Sequence, residues 1–330
     1  MSRLAGWRAK LLGEHSQATL ALATTAVLFA AGAIASPGSV GLSALSSMLP
    51  FAAILAIAAI GQQVVILQRG LDLSAPGIIS VAAVATTILP TGPIADSEVL
   101  GLAWPIAGAL GLAILAGLAN GIAIVVLAIP PLVATIGVNS LLYGLVLAAT
   151  GGTPSAAPTY LSAFALDRTL GIPNTALVAI LFAAAMIFVI GRTVLGRRFM
   201  AVGISPVAAL AASIRVPNHV LGAYLVAGLC YGVAGVLLAG LLNVPSLFVG
   251  GPYLLATVAA VVLGGSPLAG GRGSVLATLL GALFITQLGQ ILVTLGIDRS
   301  VQFVCQGLIV LVGTGLQERL GLGQRARGAA

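Results

Sequence analysis

The 330-residue chain is 59% hydrophobic and only 6% charged, whereas an ordinary soluble domain carries roughly 25% charged residues. A water-soluble surface cannot be built from this material, and the chain reads as an integral membrane protein surrounded by lipid bilayer. Its net charge of +7 does not point to nucleic acid, because the basic residues are scattered among short breaks between apolar runs.

A barrel would show short strands of alternating apolar and polar residues, but the run 177–190 is apolar on every face. The expected fold is an all-α integral membrane protein of about ten transmembrane helices, at 18–35, 42–67, 75–89, 100–127, 132–149, 175–190, 220–242, 253–263, 275–295 and 301–316. Arg3, Arg8 and Lys10 precede the first run, which ends in Ala33-Ile34-Ala35 like a signal-peptide cleavage site. The length of that run, and the membranous character of everything after it, favour an uncleaved span. The second run contains Gln62-Gln63 and the fourth Asn120-Gly121, so each is expected to include an unwound piece packed among neighbouring helices. Two breaks rich in Gly and Pro, at 70–77 and 264–273, look alike and suggest an internal duplication. The longest basic loop lies between residues 192 and 217. Within it Ser205-Pro206 is a strong helix start, Ser as N-cap and Pro at the first position, for a helix reaching Ile214. The run 253–263 spans only ~17 Å as a helix, short of a ~30 Å hydrocarbon core, so irregular backbone packed in protein must complete it. Cys230 and Cys305 lie inside apolar runs and read as small hydrophobes.

Basic residues also report orientation, because cytoplasmic loops are enriched in them. With the N-terminus inside, 12 of the 14 fall in inner segments and 2, Arg168 and Arg299, fall outside. Both termini are therefore expected in the cytoplasm, with one transmembrane domain at 18–316 between tails at 1–17 and 317–330. The same count places both glycine-rich breaks inside, whereas a five-plus-five inverted repeat would separate them.

Lys10 is the only lysine, so no GxxxxGK[ST] phosphate loop exists and any ATP is hydrolysed by another subunit. His15 and His219 lie far apart, and neither an HExxH motif nor a Cys/His cluster is present, so no metal or other cofactor is called for. No acid, base or metal constellation marks a catalytic residue, which counts against a membrane enzyme. No span carries an ionisable residue at its centre; that weakens, without eliminating, the alternative of an ion-coupled secondary transporter of a small polar solute. Gly70, Asp72, Ser74, Gly264, Gly265, Gly270 and Gly271 read in two ways. They are either signature loops that form a gate, with Arg69 and Asp72 paired, or helix punctuation, with Ser74 capping the next helix and Pro76 in its first turn. Punctuation accounts for the residues without a further role. The helix carrying Ser205, Pro206, Ala208, Ala209, Ala212 and Ile214 suits either a partner's groove or a resting place on the membrane surface. Asn120, Thr135, Asn139, Thr257, Gln287 and Gln290 are candidates to line a pathway for a polar solute, although such residues more often bond to a neighbouring helix.

Several stretches resemble recurring motifs of the membrane subunits of ribose-type ABC importers. They are Gly70-Leu-Asp-Leu-Ser74, Asn120-Gly121, Pro131-Leu-Val-Ala-Thr-Ile-Gly137, Thr150-Gly-Gly-Thr-Pro154, Gly196-Arg-Arg-Phe-Met-Ala-Val-Gly203 and, most specific, Ala260-Val-Val-Leu-Gly-Gly-Ser-Pro-Leu-Ala-Gly-Gly-Arg-Gly-Ser274. They are collinear over most of residues 40–316. The resemblance implies a permease subunit for a monosaccharide or related sugar in the bacterial inner membrane, as a homodimer or a heterodimer with a close relative. It also implies a cytoplasmic ABC ATPase and a periplasmic or extracellular sugar-binding protein as partners. By the match of residues 201–214 to the family's cytoplasmic loop, the 206–214 helix becomes the ATPase-coupling element. The chain departs from the family there. Gly203-Ile-Ser-Pro206 and Ala209-Leu-Ala-Ala-Ser-Ile214 stand where members commonly carry Asn and Arg, which implies a more apolar contact or an asymmetric pair. Ribose, xylose, other pentoses, autoinducer-like sugars and polyols all remain open as the solute.

Overall fold

The structure is a computed structural model that describes residues 2–89 and 98–327; Asp96, expected in an outer loop, lies outside the described residues. Almost everything described is helix, as an apolar chain in lipid requires if its backbone polar groups are to be satisfied internally. The first five helices are α1 (Ser2–Ala35), α2 (Leu42–Leu67), α3 (Ala75–Ile88), α4 (Glu98–Val125) and α5 (Pro131–Thr150). A short α6 (Thr159–Leu166) and a two-residue antiparallel hairpin, β1 (Arg168–Thr169) with β2 (Ile172–Pro173), follow. The chain then forms α7 (Asn174–Arg192), α8 (Val194–Ile204), α9 (Pro206–Ala211), α10 (Val216–Leu242), α11 (Tyr253–Leu263), α12 (Val275–Thr294) and α13 (Arg299–Arg327). Each of the ten apolar runs falls on a helix. Seven of the described helices are long and apolar enough to cross a membrane: α1 over Gln17–Ala35, α2, α4 over Leu102–Val125, α5, α7, α10 and α12.

Three sequence expectations change. First, α2 and α4 run unbroken through Gln62-Gln63 and Asn120, without the unwound pieces expected there. Gln62 and Asn120 meet partners on neighbouring elements instead, so the helix need not open to satisfy them. Second, the 192–217 segment is largely helical, and α9 stops at Ala211. Ser213 takes a left-handed φ of 59°, and the Ile214 N–H turns back to the Ala209 carbonyl (2.9 Å). Third, the helix continues through both expected tails, since α1 begins at Ser2 and α13 extends to Arg327.

Central α10 packs on α2, α3 and α4. Where α10 crosses α4, a Cβ on Gly117 would sit 2.3 Å from the Tyr224 carbonyl oxygen and one on Gly228 2.5 Å from that of Ala113. Only glycine lets these backbones meet. A second cluster joins α2 to α11, α12 and α13 through small residues such as Ala59, Ala256, Ala260 and Ala282.

The connections gather at two ends of the bundle. At one end Gln17 Nε2 donates to the Gly265 carbonyl (3.2 Å) and the Gly271 N–H to the Leu67 carbonyl (3.0 Å). At the other, Arg168 donates to the Ser46 carbonyl (3.2 Å) and the Ala157 N–H to that of Asn243 (2.6 Å). The segment 243–252, ahead of the 11-residue α11, turns back into the bundle, where the Gly250 N–H donates to Ser80 Oγ on α3 (3.0 Å).

Candidate functional site

The loop between α2 and α3 gathers a buried polar hub. Asp72 Oδ1 accepts from the Ser74 N–H (2.8 Å) and from Ser74 Oγ (2.6 Å), and Asn120 Nδ2 on α4 donates to the same Ser74 Oγ (2.7 Å). Gln62, with its amide oriented to satisfy its neighbours, donates to Tyr231 Oη on α10 (2.7 Å) and to the Asp72 carbonyl (3.0 Å), and accepts from the Asp72 N–H (3.2 Å). Asn139 Oδ1 on α5 accepts from the Gly77 N–H (2.9 Å). Side chains of α2 and α4 thus hold the loop directly, while α10 bonds the Gln62 that holds it and α5 bonds the first turn of α3, each bond worth about 1 kcal/mol net and more if a partner is removed. Burial pushes the Asp72 carboxyl up to about 6, while the two bonds from Ser74 act in the opposite direction. Ser74 stands at the N-cap position of α3 without making the expected side-chain cap.

Arg69 does not pair with Asp72. Its Nε donates to the Gly203 carbonyl (2.7 Å) and its Nη2 to that of Ile204, while Gln68 Nε2 donates to the Phe199 carbonyl (2.8 Å). These are carbonyls in the last turns of α8, which lack partners within the helix at its very end. Gly203 lies flat on the end of α2, where a Cβ would sit 2.1 Å from the Leu67 oxygen and 3.1 Å from Gly271 Cα. The two look-alike breaks and the α8–α9 junction therefore meet at one point. From there α9 projects: Ser205 caps it by accepting from the Ala208 N–H (3.2 Å). Val207 and Leu210 are 78% and 59% exposed, and Ala209 faces inward at 3%.

A cavity of about 720 Å³ opens at the opposite end. Phe51, Phe248, Tyr253 and Phe303 form much of its apolar wall, and Gln290, Gln302 and Gln306 contribute amides. Among the described residues its lining contains one that is charged, Arg299.

Of the expected pathway residues, Asn120 and Asn139 belong to the hub, and Thr135 is bonded to the Pro131 carbonyl of its own helix (2.9 Å). Thr257 likewise bonds back to Tyr253 (2.9 Å), and Gln287 is buried with Nε2 3.5 Å from the Ser39 carbonyl. None of the five lines this cavity, whereas Gln290 does. Sequence reasoning missed Gln302 and Gln306. Their signal was the four-residue spacing of two amides on one face of the otherwise largely apolar run 301–316. It also missed the contacts of Arg69, which no spacing foretells.

The family described as "branched-chain amino acid transport system / permease component" matches residues 44–313. The ribose import permease protein RbsC of Bacillus subtilis is 32% identical over 83% of this chain and 84% of its own length; that of Escherichia coli is 31% identical over 87% and 89%. The autoinducer 2 import system permease protein LsrC of Yersinia pseudotuberculosis is 30% identical over 90% of this chain and 84% of its own length. No solved structure gives a significant match. A match over residues 44–313, which hold the hub and the α8–α9 junction, on a chain without a phosphate loop, means that the chain belongs to this family as the membrane permease of an ABC importer, not its ATPase.

Proposed function

We propose that this permease passes a monosaccharide or related small polyol through the bacterial inner membrane, driven by a cytoplasmic ABC ATPase and supplied by a periplasmic or extracellular binding protein. Two copies, or this chain and a close relative, make up the membrane part. The topology has ten crossings, α1–α5, α7 and α10–α13, with both termini cytoplasmic. Residues 18–316 are the permease domain, and 1–17 and 317–330 its tails. The 12-to-2 distribution of basic residues supports this orientation, as does the meeting of the α2–α3 loop, the α8–α9 junction and the α11–α12 loop at one end. The family description mentions branched-chain amino acids, but the relatives above are named for ribose and autoinducer 2 import.

The observation that carries the ATPase reading is a short exposed apolar helix, α9, fastened to the bundle beside it by Gln68 and Arg69. A helix merely resting on lipid has no need of that fastening; one that transmits a partner's motion does. Ala209 faces the bundle, so the docking surface consists of Val207, Ala208, Leu210 and Ala212. Cysteines at Val207 or Leu210 are expected to crosslink to the ATPase in inverted membrane vesicles. Val207→Glu should lower ATP-driven uptake about tenfold, the effect of ~1.4 kcal/mol of lost docking energy, with normal amounts of folded permease. Efficient ATPase assembly and uptake in that variant would remove α9 from the mechanism.

A further inference from the structure

We infer that the outer cavity is a binding subsite of the permease itself for one monosaccharide-sized polyol, read by the amides of Gln290, Gln302 and Gln306. This rests on the importer reading and adds a place where the permease, and not only the delivering protein, holds the solute. Gln306 is 2% exposed and its Oε1 has no hydrogen-bond partner. A buried acceptor left unmade costs about 1–3 kcal/mol and calls for a ligand or water. Gln302, one helical turn earlier, is admitted by Gly289, where a Cβ would sit 2.6 Å from Gln302 Nε2. Gln290 is the next residue along α12. A primary amide offers donors on one side and an acceptor on the other, which matches hydroxyls that both donate and accept.

The apolar wall suits the C–H face of a sugar ring, and Phe248 is held edge-on by Tyr143, with ring centroids 4.7 Å apart at 69°. The volume of about 720 Å³ falls within the ~300–1,000 Å³ of small-molecule sites. The cavity also lies at the start of the short α11, where non-helical chain runs into a helix, the kind of break at which transporters tend to build their substrate sites. An aliphatic amino acid would be favoured by an acidic partner for its ammonium, and among the described residues no Asp or Glu lines the cavity. A competing lipid tail would leave the orphan amide unmade, and a competing second copy of the permease is distinguished by the test below.

The test uses the importer assembled with its ATPase and binding protein in proteoliposomes, in a Cys305→Ser background with Val293→Cys, an exposed lining position outside the three amides, as reporter. Saturating D-ribose should slow labelling by an impermeant maleimide several-fold, and glycine betaine at equal osmolarity should not. Gln306→Leu, of similar volume without the amide, should abolish the protection, and Gln306→Asn should keep part of it. Equal protection by betaine, no protection by ribose, or full protection in Gln306→Leu would each overturn the subsite. So would crosslinking of Val293→Cys to the same residue of a second copy, which would make the cavity a subunit contact. ATP hydrolysis that fails to respond to the binding protein, even with Gln306 intact, would instead defeat the importer reading.

Discussion

Asp72 lies in the loop between α2 and α3, outside both helices, and its burial sets up a measurable pH dependence. Its carboxyl moves from an ordinary 3.8 to about 6 in the folded protein, so the fold holds the proton more tightly than the unfolded chain does. Its contribution to stability is therefore greatest below 3.8 and falls as pH rises to about 6. Asp72→Asn keeps an oxygen acceptor for both Ser74 donors and removes the charge. It should melt in detergent at or above the wild-type temperature at neutral pH, without the decline across that window. Asp72→Ala leaves the Ser74 donors without their acceptor and should cost ~1–3 kcal/mol. An Asn variant less stable than the wild type at neutral pH would show that the charge itself is needed.

At the scale of elements, the tie between α2 and α8 rests on a forked donor and a missing side chain. Arg69→Ala removes the donors to the Gly203 and Ile204 carbonyls. Gly203→Ala puts a methyl group 2.1 Å from the Leu67 oxygen unless α8 moves away. Both should loosen α8 and α9 while leaving total helix content unchanged, read as faster tryptic cleavage at Arg197 and Arg198 or faster amide exchange over 194–211. Arg69→Lys keeps the charge but loses the fork and should fall between wild type and Ala. Unchanged protection in all three variants would mean that α8 is held by its packing alone. Gln68, which reaches the Phe199 carbonyl (2.8 Å), sets the residual protection in each.

Across the whole molecule, alternation of loops between two ends predicts which positions a reagent reaches. Single cysteines at Asp167 and Asp298 should label with an impermeant thiol reagent in intact cells, and cysteines at Arg215 and Arg272 only after permeabilisation. Labelling at Arg272→Cys but not Asp298→Cys would reverse the final part of the topology. Much of the architecture was readable beforehand because long apolar runs have one solution in lipid: all ten runs fall on helices, and Ser205 caps α9 as its sequence indicates. The site was less readable. Asn120 and Asn139 look like pathway residues in isolation, but their partners, Ser74 and Gly77, are 46 and 62 residues away. Arg69 and Asp72 look like a pair at three residues' separation, yet φ of 63° at Arg69 directs the chain so that each finds other partners. Local spacing carries no information about such distant contacts.

The short α11 also bears on how the chain is made. Its 11 residues reach ~17 Å, too little to be retained in a bilayer as an independent segment. The Gly281 backbone of α12 lies close enough to the Ala260 carbonyl that a Cβ there would sit 2.1 Å from it, and the stretch ahead of α11 is tied to α3. On the ten-crossing topology proposed above, α11 is expected to wait at the translocon until α12 emerges and to enter the membrane with it as a hairpin. Biogenesis of this region is thus cooperative over about 40 residues, a cooperativity imposed by helix length.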